Sequence, residues 1–258
     1  MNTIKEIYAY REMIFSLVRK DLRGRYKGSV LGFMWTFINP LLQLIVYTVV
    51  FSTILKSNID KYYLFLFVAL IPWLFFSTSL TGGASCILSQ KGMITKIYFP
   101  REVIPISHVT SGLVNMILCF IVVFAVVLFS GVTINPVALL YLPIIFMIEY
   151  ILALGVTFFA SSITVFFRDF EHILGIISMA WMYMTPIMYS VDIIPTDLRP
   201  LFMLNPMTSI IIAYRDILYY GKVPDLVTLF NALVLGVIVL AIGIIVFTKL
   251  KKQFAEEL

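Results

Sequence analysis

Apolar residues run along this chain in blocks of membrane length, separated by short polar stretches. A helix needs about 20 apolar residues to cross the hydrocarbon core of a bilayer. Six blocks meet that need: Leu31–Leu55, Tyr62–Ser85, Ile106–Ser130, Val137–Phe167, Ile173–Tyr189 and Leu226–Phe247. The fifth is the shortest and carries Thr185-Pro186, so a kink is expected there. A further apolar patch around Ile210–Ala213 is too short to span and is flanked by Asn205-Pro206 and Arg215-Asp216. It predicts short re-entrant or interfacial external helices, in a hairpin at about residues 195–221, before the last span.

Before the first block the pattern changes period. Ile4, Ile7, Tyr8, Ile14, Phe15, Val18 and Leu22 recur at helical spacing, with Lys5, Glu6, Glu12, Ser16, Arg19 and Lys20 elsewhere on the wheel. This predicts an amphipathic helix at a membrane interface, its apolar face toward the acyl chains. Its basic residues can orient the protein and touch anionic lipid, or the helix can also offer a docking surface to a cytoplasmic partner. The expected class is therefore an all-α membrane protein with six transmembrane helices. An interface segment, residues 1–29, precedes a single membrane domain, residues 30–258. No internal repeat is visible, and no small-residue cleavage site precedes the first block.

Composition agrees with the pattern. Of 258 residues 61% are hydrophobic and 13% charged, and the mean hydropathy is +1.00. A soluble domain of this length could not hide so much apolar surface, so its solvent is largely lipid. With the N-terminus inside, fourteen of the nineteen Lys and Arg residues fall in cytoplasmic segments and five in outer loops. The positive-inside rule thus places both termini in the cytoplasm. It also accounts for the pI near 9.1 without any nucleic-acid partner.

Candidate chemistry is sparse. Glu149 is the one clear acid within a span; His108 lies near the start of the third, and Glu171 and His172 fall at a cytoplasmic turn. A structural role for Glu149, paired with a tyrosine hydroxyl, is expected over proton coupling. Cys86 and Cys119 have no metal spacing, and no paired carboxylates or Ser-His-Asp set suggests catalysis. No phosphate loop is present, and "YGKVP" at 220–224 does not qualify, so the chain is not expected to hydrolyse ATP or to be an enzyme. Trp181, Tyr183 and Tyr189 share the short proline-bearing span, where aromatic faces could stack on sugars passing through. Arg23, Arg25 and Lys27 stand directly before the first span.

The stretch "LVRKDLRGRYKGSVLGFMWTFINPLL" resembles the start of ABC-transporter permeases that export polysaccharides, the O-antigen, capsule and teichoic-acid exporters. "ITKIYFPREVIPIS" resembles that family's cytoplasmic connection between the second and third spans. "VFFRDFEHIL", "TPIMYS" and "LNPMTSIIIAYRD" follow in the family's order, so the resemblance covers essentially the whole chain. It implies a homodimer in a bacterial cytoplasmic membrane, bound to two copies of a separate ABC ATPase subunit that carries the ATP and magnesium. No cofactor is implied on this chain. The cargo would be a glycan on a polyprenyl-pyrophosphate or similar lipid. Arg23, Arg25 and Lys27 would meet its charged headgroup at the inner leaflet, since a guanidinium binds phosphate oxygens at two points. Topology enforcement is the other reading of the same charges. Lys91, Lys96, Arg101 and Glu102, with Arg168 and Asp169, would couple to the ATPase. Asn205, Pro206, Tyr214 and Arg215 would belong to an external gate. A drug or other lipid as cargo, and a membrane-embedded glycan- or lipid-modifying enzyme, are the alternatives; the sequence shows no acid cluster for the enzyme.

Overall fold

Hydrophobic pattern becomes helix throughout the computed structural model, which describes residues 3–25, 28–54 and 59–257. Two short helices, α1 (Thr3–Ala9) and α2 (Arg11–Gly24), replace the single N-terminal helix expected from periodicity, with a break at Tyr10. Nor does all of the apolar face look toward lipid. Met13, Ile14 and Leu17 pack against a cluster that contains Ile94, Phe247 and Phe254, while Tyr8 and Phe15 stay exposed. The helix therefore has one protein-facing side and one outward side.

Five helical stretches are long and apolar enough to cross a membrane: Gly32–Ser52, Tyr62–Ala84, Val103–Phe129, Pro136–Phe166 and Leu226–Gln253. Their regular α-helices are α3 (Trp35–Thr48), α4 (Tyr62–Ala84), α5 (Val103–Phe129), α6 (Leu142–Phe166) and, after two shorter ones, α9 (Leu226–Leu250). Most of α4 is buried, including Leu64, Phe67 and Leu70, and it lies at the centre of the bundle. Being apolar all round, it has no solvent face to offer. Prolines at positions 40 and 72 sit inside α3 and α4 without ending them, which spanning helices tolerate because neighbours satisfy the freed carbonyls.

The expected fifth span is shorter than its apolar block. Its helix, α7 (Phe170–Tyr183), has 14 residues and reaches about 21 Å at 1.5 Å per residue, against about 30 Å of hydrocarbon. Instead of bending at Pro186, the helix stops at Tyr183, and Met184–Tyr189 completes the passage as turns. Pro186 offers no amide and its ring disfavours helical geometry at Thr185, so continuing would lose hydrogen bonds. The hairpin region contains a five-residue turn of helix, Arg199–Met203, and α8 (Pro206–Leu218). Asn205 caps α8 by accepting from the Met207 amide, with proline at the first helical position. Most of α8 is buried, including Ile210, Ile211 and Ala213.

Long-range contacts sort the connections into two ends. At one end α2 meets the Cys86–Glu102 connection, through Tyr10 and Tyr98, and the tail after α9, through Phe254. At the other, the Tyr219 hydroxyl donates to the Asp60 carbonyl at 2.6 Å and the Tyr62 hydroxyl to the Met188 carbonyl at 2.9 Å. Among the described residues the five long helices, and α7 with the turns after it, run between these ends. Helix α2 and the C-terminal tail lie at the same end.

Candidate functional site

At the end that holds α2, a polar cluster joins that helix to α5. Asp21 accepts from Arg25 Nε at 3.0 Å and Nη2 at 2.9 Å, one helical turn away, and from the Ser111 hydroxyl of α5. Arg25 Nη2 also reaches Ser111 Oγ at 3.2 Å, so three side chains close one network. His108, one turn before Ser111, lies with Nε2 3.4 Å from the Thr78 carbonyl of α4. Beside this network is a recess of about 390 Å³, lined in part by Lys20, Asp21, Arg25, Gln90 and His108. Arg25 lines a second cavity as well, between α3, α4 and α5, so its guanidinium stands between the two.

The sequence placed Arg23, Arg25 and Lys27 together, and the fold separates the first two. Arg23 is exposed and lines a different groove with Phe15, Arg19 and Leu22, about 710 Å³ in volume. Lys27 lies outside the described residues. Asp21 and Ser111 were missed by sequence reasoning. Asp21 was legible as a possible partner of Arg25 four residues on, whereas Ser111 is a small polar residue within an apolar block, and only packing brings it there.

The basic connection between α4 and α5 leaves Lys91 and Lys96 exposed, and Arg168 and Asp169 are exposed in the turn between α6 and α7. Ile97 and Tyr98 protrude, at 59% and 85% exposure, although neighbouring Phe99 is buried. Arg101 and Glu102 turn inward to the C-terminal tail. The Arg101 guanidinium is 5.8 Å from the centre of the Phe254 ring, and buried Glu102 is ion-paired with Lys251. The tail therefore braces the loop. Lys251 had no sequence signal beyond its charge.

At the far end the aromatic and gate residues converge on the turns after α7. Trp181 Nε1 donates to Asn205 Oδ1 at 3.0 Å, and Asn205 Nδ2 donates to Thr185 Oγ1 at 2.8 Å. The Tyr189 hydroxyl donates to the Tyr183 carbonyl at 2.7 Å, and the Tyr183 ring itself is exposed. Pro206 is buried at the start of α8. Arg215, 3% exposed, donates to the carbonyls of Pro186 at 2.5 Å and Ile187 at 2.6 Å, with its charge 3.5 Å from the Phe65 ring centre. It pairs with no carboxylate among the described residues; carbonyl dipoles and a ring face supply the counter-charge. Tyr214 points elsewhere, donating to Glu149 of α6 at 2.7 Å with both groups fully buried. Glu149 thus has a tyrosine partner on Oε2, while its Oε1 is buried with none among the described residues.

Residues 12–219 match the sequence profile of the ABC-2 type transporter family. The chain is similar to the O-antigen export system permease protein RfbA of Myxococcus xanthus, 34% identical over 99% of this chain and 98% of the relative. It is similar to RfbA of Klebsiella pneumoniae, 33% identical over 95% of this chain and 94% of that one. The polysialic acid transport protein KpsM of Escherichia coli is 20% identical, over 90% of this chain and 91% of its own length. With the profile covering most of the bundle and these relatives matching nearly end to end, this multi-pass membrane protein belongs to the ABC-2 type transporter family.

Proposed function

We propose that this chain is the transmembrane subunit of an exporter that moves a lipid-linked polysaccharide across a bacterial cytoplasmic membrane. The observation that carries this reading is the end-to-end similarity to permeases named for O-antigen and polysialic acid export, at 90% or more of both chains. Two copies form the pathway, and two copies of a cytoplasmic ABC ATPase, holding ATP and magnesium, drive it. This chain binds no cofactor and hydrolyses nothing.

The end that holds α2 faces the cytoplasm, so both termini are cytoplasmic, as the placement of Lys and Arg favours. Lys91, Lys96, Arg168 and Asp169 are exposed there and can meet the ATPase, with Tyr98 as the protruding apolar contact. Arg101 and Glu102 transmit the partner's movement inward, because the tail that clasps them continues directly from α9. The lipid-borne pyrophosphate approaches through Arg23, Arg25 and Lys27. Arg25 is the pivotal one, since it already touches α5 through Ser111. At the far end Asn205, Pro206 and Arg215 hold the outer closure in place, and Tyr214 ties α8 to α6 behind it. Of the aromatics, Tyr183 is free to face the passing glycan, and Trp181 and Tyr189 fix its setting.

The test is reconstitution. The purified chain alone should show no ATP turnover, and a co-expressed ABC ATPase should purify with it and support glycan export in cells. Arg101→Glu should lower export more than it lowers ATP turnover of the assembled complex. Turnover by the isolated chain, or export without the partner, would remove the reading.

A further inference from the structure

We infer that the cavity between α3, α4 and α5 is a binding subsite for one sugar ring of the transported glycan, the ring nearest the lipid phosphate. This rests on the export reading above. The cavity measures about 210 Å³ and has polar groups where the surrounding spans are apolar. Thr36 of α3 is 2% exposed, and its Oγ1 is buried without a hydrogen-bond partner among the described residues. Asn115 of α5 likewise buries Oδ1 without a partner. Asn39 and Gln43, four residues apart on one face of α3, line the exposed side of the same space, and their side chains form no hydrogen bond with any described residue. Unpaired polar groups at membrane depth are costly, because lipid offers nothing to bond. Asn115 lies twelve residues into α5, about 18 Å along it, well past the interface.

The chemistry suits a hydroxylated ring. Amide groups both donate and accept, as sugar hydroxyls do, and the threonine hydroxyl adds one more of each. Trp35 and Phe75 supply apolar walls against which the face of a ring can lie. Arg25 stands at the mouth, using Nε and Nη2 on Asp21 and Ser111 and leaving Nη1 without an acceptor among the described residues. A phosphate at Arg25 would therefore place the attached sugar beside Thr36 and Asn115. A second copy of this chain is the weaker occupant. A helix is about 10 Å across with its side chains, too wide to enter a space of about 210 Å³ between three spans of one protomer.

The probes are a polyprenyl diphosphate carrying one N-acetylhexosamine and the same lipid without the sugar, each bound to the chain in lipid nanodiscs and read by native mass spectrometry. Two added hydrogen bonds should make the unsubstituted chain prefer the sugar-bearing lipid by about tenfold. Thr36→Val with Asn115→Leu should bring that preference to within about twofold, as expected when those bonds are lost, with affinity for the bare lipid unchanged. Asn39→Leu with Gln43→Leu should act the same way and leave the dimer mass intact. Thr36→Val alone nearly preserves shape and should lower the preference about threefold, which keeps the test decisive if a double variant does not fold. Equal binding of both lipids by the unsubstituted chain, or a preference kept in every variant, overturns the subsite while leaving export standing. Loss of the dimer in the Asn39 and Gln43 variant, with the preference retained, assigns those amides to a second copy and also overturns it. Binding of neither lipid, together with no export by the assembled complex, overturns the export reading instead.

Discussion

Arg215 shows how one residue can hold a membrane protein open to irregular backbone. Where α7 stops, the carbonyls of Pro186 and Ile187 have no helical amide to meet, and the planar guanidinium supplies donors to both. A lysine would bring the charge without the fixed fork, and its strongly hydrated ammonium would be buried in the same place. Arg215→Lys should therefore destabilise the fold by about 2–4 kcal/mol, the range for leaving two buried acceptors imperfectly met. Thermal unfolding in detergent would read this as a clear drop in midpoint, and accumulation in membranes should fall with it. An unchanged midpoint would mean that water serves those carbonyls. The arginine was visible in the sequence as a charge beside an apolar patch. Its partners were not, because they lie 28 and 29 residues away and are backbone atoms.

Among the elements, α6 and α9 run side by side at a distance only glycine permits. A Cβ on Gly155 would meet the Leu240 nitrogen of α9 at 2.6 Å, and Gly243 faces Gly155 from the other helix. Close approach lets two apolar helices gain dispersion contacts where lipid provides no hydrophobic drive to pair them. Gly155→Leu should force the pair apart and cost about 3 kcal/mol, the upper part of the usual overpacking range. Gly175, inside α7 with nothing within 4 Å of its Cβ position, is the control. Gly175→Ala should be neutral or stabilising by about 0.5–1 kcal/mol from helix propensity alone. Equal loss of folded protein in both variants would contradict this packing. The glycines were plain in the sequence, but a helical glycine at a contact and one facing outward read identically there.

For the whole molecule, α2 and the C-terminal tail lie at one end and Asp60 at the other. A reporter fused after Leu258 should be active in the cytoplasm, and Asp60→Cys should react with an impermeant thiol reagent from outside the cell. Native thiols should interfere little. Cys86 and Cys119 are both buried, and burial pushes the Cys86 thiol up to about 12, so it stays protonated across the physiological range. A reporter active on the outer side would reverse the orientation and move the ATPase contacts to the wrong face.

The apolar blocks by themselves determined the all-helical membrane class and the five long spans, because lipid forces every spanning segment to satisfy its backbone internally and so to be long, apolar and helical. Local rules also reached the proline-bearing fifth passage and the short helix that begins at Asn205-Pro206. Tertiary structure alone decided that α7 ends rather than bends, since that depends on whether a distant donor such as Arg215 can take the released carbonyls. It alone parted Arg23 from Arg25, two residues apart in sequence, since a helix turns neighbours to different sides and only packing on α5 says which side is the protein's. The unpaired amides of Asn39 and Gln43 could be read at i and i+4 in the first apolar block. Their meaning needed Asn115, which sequence puts far away and the bundle brings to the same cavity.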